Sequence, residues 1–115
     1  MNVVQETAEG LPVWKLSGKL DTLTSPDFQK QIVEAIDKGQ TRLILDITDL
    51  AYVSSAGLRV FLIAQKKASA GRGSLAILGA NDMIKNVFEI SGFTRLFCFT
   101  GDLKESVDYL KRLQS

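Results

Sequence analysis

The chain contains no histidine, the side chain that most often serves as a general base or a metal ligand. Its single cysteine, Cys98, can form neither an internal disulfide nor a thiolate cluster. Serine–histidine and cysteine–histidine nucleophilic systems are therefore excluded. We expect a binding protein without a cofactor or bound metal, not an enzyme, and we expect Cys98, between two phenylalanines, to be a small core residue.

The sequence also has little net charge and no long apolar run. A net charge of +1 gives no general attraction to nucleic acid or to an anionic membrane surface. No apolar segment approaches the roughly 20 residues that cross a bilayer, so we expect no membrane insertion. Residues 1–6 lack the basic and apolar regions of a signal peptide. Together with the low cysteine content, this predicts a cytoplasmic protein.

Strand and helix patterns alternate along the 115 residues, which suffice for one domain, 1–115, with a single core. The predicted strands are residues 3–7, 13–17, 42–47, 74–79 and 96–99. The predicted helices run from Pro26, capped by Ser25, to a stop at Gly39; from the 54–55 serine pair to Ala70; from a cap at Asn81-Asp82 to Ser91-Gly92; and from Asp102 to Leu113. A hairpin followed by such alternation predicts an α/β fold with a largely parallel sheet.

Two adjacent serines, Ser54 and Ser55, lie where a strand pattern gives way to a helix pattern. We place the strand end before Thr48 and expect the Ser55 hydroxyl to cap the helix that follows. The N-terminus of a helix has free N–H groups and the positive end of the helix dipole, so a phosphate there is stabilised. A serine that gains charge without unfolding its helix is a good physical basis for a switch.

A second polar segment, residues 18–22, follows the second predicted strand. Loops at the carboxyl ends of parallel strands cluster at one edge of a sheet. We therefore expect residues 18–22 and residues 54–57 to lie side by side. Within this segment Asp21 could form a turn with its own backbone.

Three segments, in order, resemble the STAS domain family and most closely its stand-alone bacterial anti-sigma factor antagonists. They are residues 18–21 (Gly-Lys-Leu-Asp), residues 52–59 around the serine pair, and residues 87–93 (Val-Phe-Glu-Ile-Ser-Gly-Phe). The resemblance covers nearly the whole chain. It implies a single STAS-type α/β domain with a mixed, mostly parallel sheet of four to five strands and about four helices.

The resemblance also implies regulation by partner switching. The unphosphorylated antagonist would bind an anti-sigma factor serine kinase, which has a histidine-kinase-like ATPase fold, and release that kinase's client. Phosphorylation of the loop serine by the kinase would end binding, and a metal-dependent serine phosphatase would restore it.

Carried over residue by residue, the resemblance makes Ser55 the phospho-acceptor and places Ser54 where the family usually has aspartate. Ser54 is thereby also a second candidate phosphorylation site. The residues that it implies for partner binding are Asp21, Thr22, Ser54, Ser55, Ala56, Gly57 and Leu58.

Simpler roles remain open for these residues. Ser55 could serve only as a helix cap, and Gly57 could serve only to pack the first helical turn against the sheet. A second function is also open: a constitutive STAS accessory subunit of a transport ATPase or another signalling complex, without phosphorylation control. The serine pair and its companion loop favour switching, whereas the missing aspartate keeps the accessory role in consideration.

Overall fold

Residues 1–113, the part of the chain that the computed structural model describes, contain a mixed sheet of five strands in chain order. The strands are β1 (Asn2–Ala8), β2 (Leu11–Leu20), β3 (Arg42–Val53), β4 (Ser74–Leu78) and β5 (Cys98–Thr100). β1 is antiparallel to β2, and the other neighbouring strands are parallel. The predicted fold class is confirmed. Residues 114 and 115 of the predicted domain lie outside the described residues.

The described residues form four α-helices, which divide between the two faces of the sheet. They are α1 (Ser25–Asp37), α2 (Ser55–Ala70), α3 (Asp82–Ile90) and α4 (Leu103–Arg112). Apolar side chains of α1, α2 and α3 share one core with the first face, and those of α4 share a smaller core with the second face. The first three helices therefore lie together, and each begins beyond the carboxyl end of a strand.

A row of buried aromatic rings crosses the larger core. Trp14 on β2 packs edge-on against Phe28 of α1, and Phe28 packs against Phe61 of α2, with ring centroids 6.4 and 6.1 Å apart. Phe61 in turn contacts Phe88 of α3 at 5.7 Å. All four side chains are at most 1% exposed. Ring pairs of this kind stabilise a core beyond the apolar area that they bury. The row therefore holds the three helices against the sheet.

The largest difference from the sequence prediction is the length of β3, which we expected to end before Thr48. The strand continues to Val53, although Thr48 and Asp49 are exposed. β4 pairs with β3 only as far as Asp46, whereas β2 stays beside it until Leu20 pairs with Val53. This end of β3 therefore has one neighbouring strand and tolerates polar residues.

The start of α1 also differs from its prediction. We expected Ser25 to be the N-cap and Pro26 the first helical residue, but the helix already includes Ser25 and its N-cap is Thr24. The Ser25 hydroxyl donates a hydrogen bond back to the carbonyl of Asp21 instead of capping the helix. The reason is a turn that begins at Asp21, before the helix. The backbone N–H of Ser25 donates to the carbonyl oxygen of Asp21 and so continues that turn into α1.

The last strand lies later in the chain than predicted. Thr94–Leu96 forms a short 3₁₀ turn, and β5 begins at Cys98 and ends at Thr100. Cys98 is half-buried, so the prediction that it is a core residue is wrong. β5 is an edge strand that pairs with β4 alone, and this leaves the side chain of Cys98 partly uncovered.

Phe88 offers a direct test of the aromatic row. We expect Phe88→Ala to lower the free energy of unfolding by about 3–5 kcal/mol, because it removes a fully buried ring and leaves a cavity. Met83→Ala in the same helix removes a side chain that is 64% exposed and should change stability by less than about 0.5 kcal/mol. Urea unfolding of the three proteins measures both effects. Equal, small changes would contradict the role of the row.

Candidate functional site

The ends of β2 and β3 meet the first turn of α2 in one close contact. The backbone N–H of Ser54 donates to the carbonyl oxygen of Leu20 at 2.9 Å. Gly57 is buried against the same residue, and a Cβ placed on it would lie 2.8 Å from Leu20 Cγ and 2.9 Å from Leu20 O. Any larger residue at position 57 would push α2 away from β2. The two polar segments are therefore neighbours, as the sequence predicted, although residues 18–20 belong to β2 and the loop begins only at Asp21.

The structure reverses the predicted roles of the two serines in capping. Ser54 is the N-cap: its backbone is extended (φ −85°, ψ 175°) and its hydroxyl accepts a hydrogen bond from Gly57 N–H at 3.2 Å. Ser55 is the first residue of the helix and is exposed. The prediction that Ser55 caps the helix is wrong because β3 runs to Val53 and leaves a single extended residue before α2.

The predicted partner-binding residues of α2 divide into exposed and buried groups. Ser55 is exposed and Ala56 is half-buried, whereas Gly57 and Leu58 are buried. Leu58, which is 5% exposed, belongs to the larger core. The exposed side of this turn is thus formed by Ser55 and Ala56, and the buried pair holds the turn in place.

Asp21 begins a turn that is closed by reciprocal hydrogen bonds. Its Oδ1 accepts from the backbone N–H groups of Leu23 (3.0 Å) and Thr24 (3.1 Å), while its own N–H donates to Thr24 Oγ1 (2.9 Å). This exchange between residues three apart is the geometry of a capping box, here on a turn that leads into α1. The Thr24 hydroxyl also donates a hydrogen bond to the carbonyl oxygen of Lys19, at 2.9 Å.

The same hydrogen bonds determine the acidity of Asp21. The backbone N–H of Thr24 is the main cause that holds the pKa of this carboxyl below its ordinary value, with smaller help from Leu23 N–H and the Thr24 hydroxyl, against partial desolvation. A depressed pKa means that the turn keeps its stabilisation above the unfolded-state pKa and loses it only as pH falls through the lower folded value. The carboxylate is therefore charged at neutral pH.

Sequence reasoning missed Leu23, whose side chain is 89% exposed at the tip of this turn. Thr22 beside it, a predicted partner-binding residue, is exposed as well. The sequence carried a signal for the turn, since Asp21 and Thr24 have the three-residue spacing of reciprocal capping. It carried none for Leu23, because a lone leucine between polar residues is equally compatible with burial.

No group of three or more histidine, cysteine, aspartate or glutamate side chains within residues 1–113 could hold a metal ion. None of the helices described there is both long and apolar enough to cross a membrane.

Known proteins resemble this chain in both sequence and fold. BtrV of Bordetella bronchiseptica, named as a candidate anti-sigma factor antagonist, is 32% identical over 97 residues, which are 84% of each chain. A solved structure described as a candidate anti-sigma factor antagonist of Thermotoga maritima superposes with a TM-score of 0.89 at 17% identity, covering 96% of this chain and 95% of the other.

The anti-sigma factor antagonist SpoIIAA has the same fold. Its unphosphorylated form superposes with a TM-score of 0.79 at 23% identity, covering 94% of this chain and 95% of the other. A second structure shows SpoIIAA of Bacillus in its phosphorylated form.

The family assignment rests on sequence as well as on fold. Residues 2–109 match the family described as STAS domain, and this range includes the Asp21 turn, the serine pair and all five strands. The relative at 32% identity covers most of the same range. The chain therefore belongs to the STAS domain family.

Proposed function

We propose that this protein is an anti-sigma factor antagonist that acts in the cytoplasm by partner switching. Its unphosphorylated form binds an anti-sigma factor serine kinase and frees that kinase's client. Phosphorylation of Ser55 by the kinase ends the interaction, and a metal-dependent serine phosphatase restores it. The observation that carries this proposal is an exposed serine, Ser55, in the first turn of α2, beside a second ordered turn at Asp21.

The relatives support a switching role over the accessory one. BtrV is named as a candidate anti-sigma factor antagonist, and SpoIIAA, which shares the fold, is known in unphosphorylated and phosphorylated forms. The serine at position 54 does not weaken the proposal. Its hydroxyl caps Gly57 N–H, a role that an aspartate carboxylate would also fill. The departure from the family pattern removes a charge without removing the cap.

Exposure favours Ser55 over Ser54 as the phosphorylation site. A kinase must bring the hydroxyl oxygen up to the terminal phosphate of ATP, so the side chain has to be accessible. Ser55 is exposed, whereas Ser54 is half-buried and its oxygen is occupied by the cap. Phosphoryl transfer to Ser54 would use the same oxygen that accepts the capping hydrogen bond, a bond worth about 1 kcal/mol to the helix.

A phosphate on Ser55 is compatible with the fold. The first turn of α2 carries no acidic side chain, and the helix dipole stabilises an anion there by about 0.3–1 kcal/mol. Arg59, which is exposed, follows four residues later, the spacing at which side chains on one helical face meet. We infer that phosphorylation ends binding by placing charge and bulk in the interface, not by unfolding the domain.

Phosphate should appear on Ser55 after incubation with ATP and the anti-sigma factor kinases of the same organism. Intact-mass and peptide analysis should show one added phosphate, lost in Ser55→Ala. The matched control is Ser54→Asn, which removes the neighbouring hydroxyl but keeps a capping side chain. It should be phosphorylated like the natural chain.

Phosphate found on Ser54 alone would overturn the assignment of Ser55. Undiminished phosphorylation of Ser55→Ala would likewise overturn that assignment. Absence of phosphate on both serines with every such kinase would overturn the switching function itself and favour the accessory role.

A charge at position 55 should weaken binding without unfolding the domain. We expect Ser55→Asp to lose at least about tenfold in affinity for the anti-sigma factor, equivalent to about 1.4 kcal/mol. Its melting temperature should stay within about 4 °C of the natural value, since the added charge favours the helix N-terminus. Calorimetric titration and thermal unfolding measure the two quantities.

Ser69→Asp is the control for this experiment, since Ser69 is also exposed and lies in the last turn of the same helix. It should bind like the natural chain. Equal loss of binding in both variants would show that net charge, not the position of Ser55, determines affinity.

A further inference from the structure

We propose that Arg59 holds the phosphate of phosphorylated Ser55 in an ion pair on the surface of α2, and that this pair slows removal of the phosphate. The inference rests on the proposed function and deepens it, because it assigns a positioning residue to the phosphorylated form. Arg59 takes this role only when Ser55 carries a phosphate, since the unmodified hydroxyl has no charge for it to bind.

The helix brings the two side chains together. Ser55 is the first residue of α2, Arg59 follows four residues later, and both are exposed. Residues four apart on a helix have Cβ atoms about 5–6 Å apart. Helical side chains lean towards the N-terminus, so the long side chain of Arg59 extends back over residue 55. Its planar guanidinium can donate two parallel hydrogen bonds to phosphate oxygens.

Arg59 has no competing anion on its own helix or in an ion pair elsewhere. The sequence of α2 contains neither aspartate nor glutamate. Arg59 also forms no salt bridge within residues 1–113. A phosphate on Ser55 would therefore gain a cation without breaking an existing ion pair.

The other cations of α2 are poorly placed for this role. Lys66 follows Ser55 by eleven residues, about 16 Å along the helix axis, whereas charges are screened over about 8 Å at physiological ionic strength. Lys67 is already paired with Asp37, with Nζ 3.0 Å from Oδ1. Arg59 is therefore the cation of α2 that lies about one turn from the phosphate.

The same geometry distinguishes Ser55 from its neighbour. Ser54 is the N-cap, with an extended backbone, and it precedes Arg59 by five residues. A phosphate on Ser54 would lie off the helical face that Arg59 covers, because only residues three or four apart meet on that face. The ion pair is thus specific to a phosphate on Ser55.

Pairing should both acidify the phosphate and protect it. A phosphoserine carries a charge of about −1.5 to −2 at pH 7, and hydrogen bonds from the guanidinium favour the dianion. The pKa of its second proton therefore falls. A phosphatase has to take the same oxygens into its own site, so it must first separate the phosphate from Arg59. Hydrolysis of the phosphate ester is then slower than it would be for an unpaired phosphate.

The first experiment uses the full chain with phosphoserine incorporated at position 55 during translation, so that no kinase is needed. Titration followed by ³¹P NMR gives the second acid dissociation constant of the phosphate. We expect this constant to fall at least about twofold in Arg59→Gln, because the dianion loses its partner. Arg59→Lys, which keeps the charge but not the planar donor pair, should lie between the two.

Lys66→Gln is the matched control, since it removes an exposed cation from the same helix. It should leave the dissociation constant unchanged. Lys19 and Asp21, the charged residues of the neighbouring segment, are the same in every variant, so the comparison isolates Arg59. An unchanged constant in Arg59→Gln, or an equal fall in Lys66→Gln, would overturn the ion pair.

The second experiment measures protection of the phosphate. The same phosphorylated chains are incubated with alkaline phosphatase, a probe that does not depend on the natural partners. We expect Arg59→Gln to lose its phosphate at least about twofold faster than the natural sequence, and Lys66→Gln to lose it at the natural rate. Equal rates for the natural sequence and Arg59→Gln would show that Arg59 does not protect the phosphate and would overturn that part of the inference.

The outcomes separate this inference from the proposed function. If Arg59→Gln changes both quantities while no anti-sigma factor kinase phosphorylates Ser55, the switching function is overturned and the ion pair stands. If a kinase phosphorylates Ser55 and Arg59→Gln changes neither quantity, the ion pair is overturned and the switching function stands.

Discussion

The contact of α2 with the end of β2 is the constraint on which the site depends. Leu20 accepts the hydrogen bond from Ser54 N–H and packs against Gly57 where a side chain would not fit. The start of the helix is thereby held against a strand that belongs to a different part of the sequence. Because the helix begins there, the positive end of its dipole, its free N–H groups and Ser55 lie at a fixed place beside the Asp21 turn.

The site lies where β2 and β3 extend beyond the other strands. β4 pairs with β3 only to Asp46, so the last part of the β2–β3 pair carries both polar loops past the rest of the sheet. Leu20, Val53 and Leu58 are buried at its base and anchor the loops to the larger core. The exposed residues of the loops do not belong to the core, so contacts made by them leave its packing unchanged.

Much of this architecture follows from local sequence patterns. Apolar patterns indicated the five strands and the four helices in their order along the chain. The neighbouring loops also followed, since parallel strands place their carboxyl ends at one edge. These features depend on side-chain patterns within a few residues, which a single sequence displays.

The missed features depend on tertiary pairing. Thr48 and Asp49 read as a strand end, but pairing with β2 extends β3 through them, and this shift makes Ser54 the cap in place of Ser55. The exposure of Leu23 depends on how the Asp21 turn is oriented, which no periodicity encodes. A register or an orientation is decided by the neighbouring element, so the sequence of one segment could not show it.

The most direct test of the account is an NMR titration of the isotope-labelled chain with its anti-sigma factor, before and after phosphorylation of Ser55. We expect amide signals of residues 21–24 and 54–57 to shift or broaden on binding and those of α4 to stay unchanged. All of these changes should disappear for the phosphorylated chain. Changes centred on α4, with both loops unperturbed, would contradict the account. So would the same changes before and after phosphorylation.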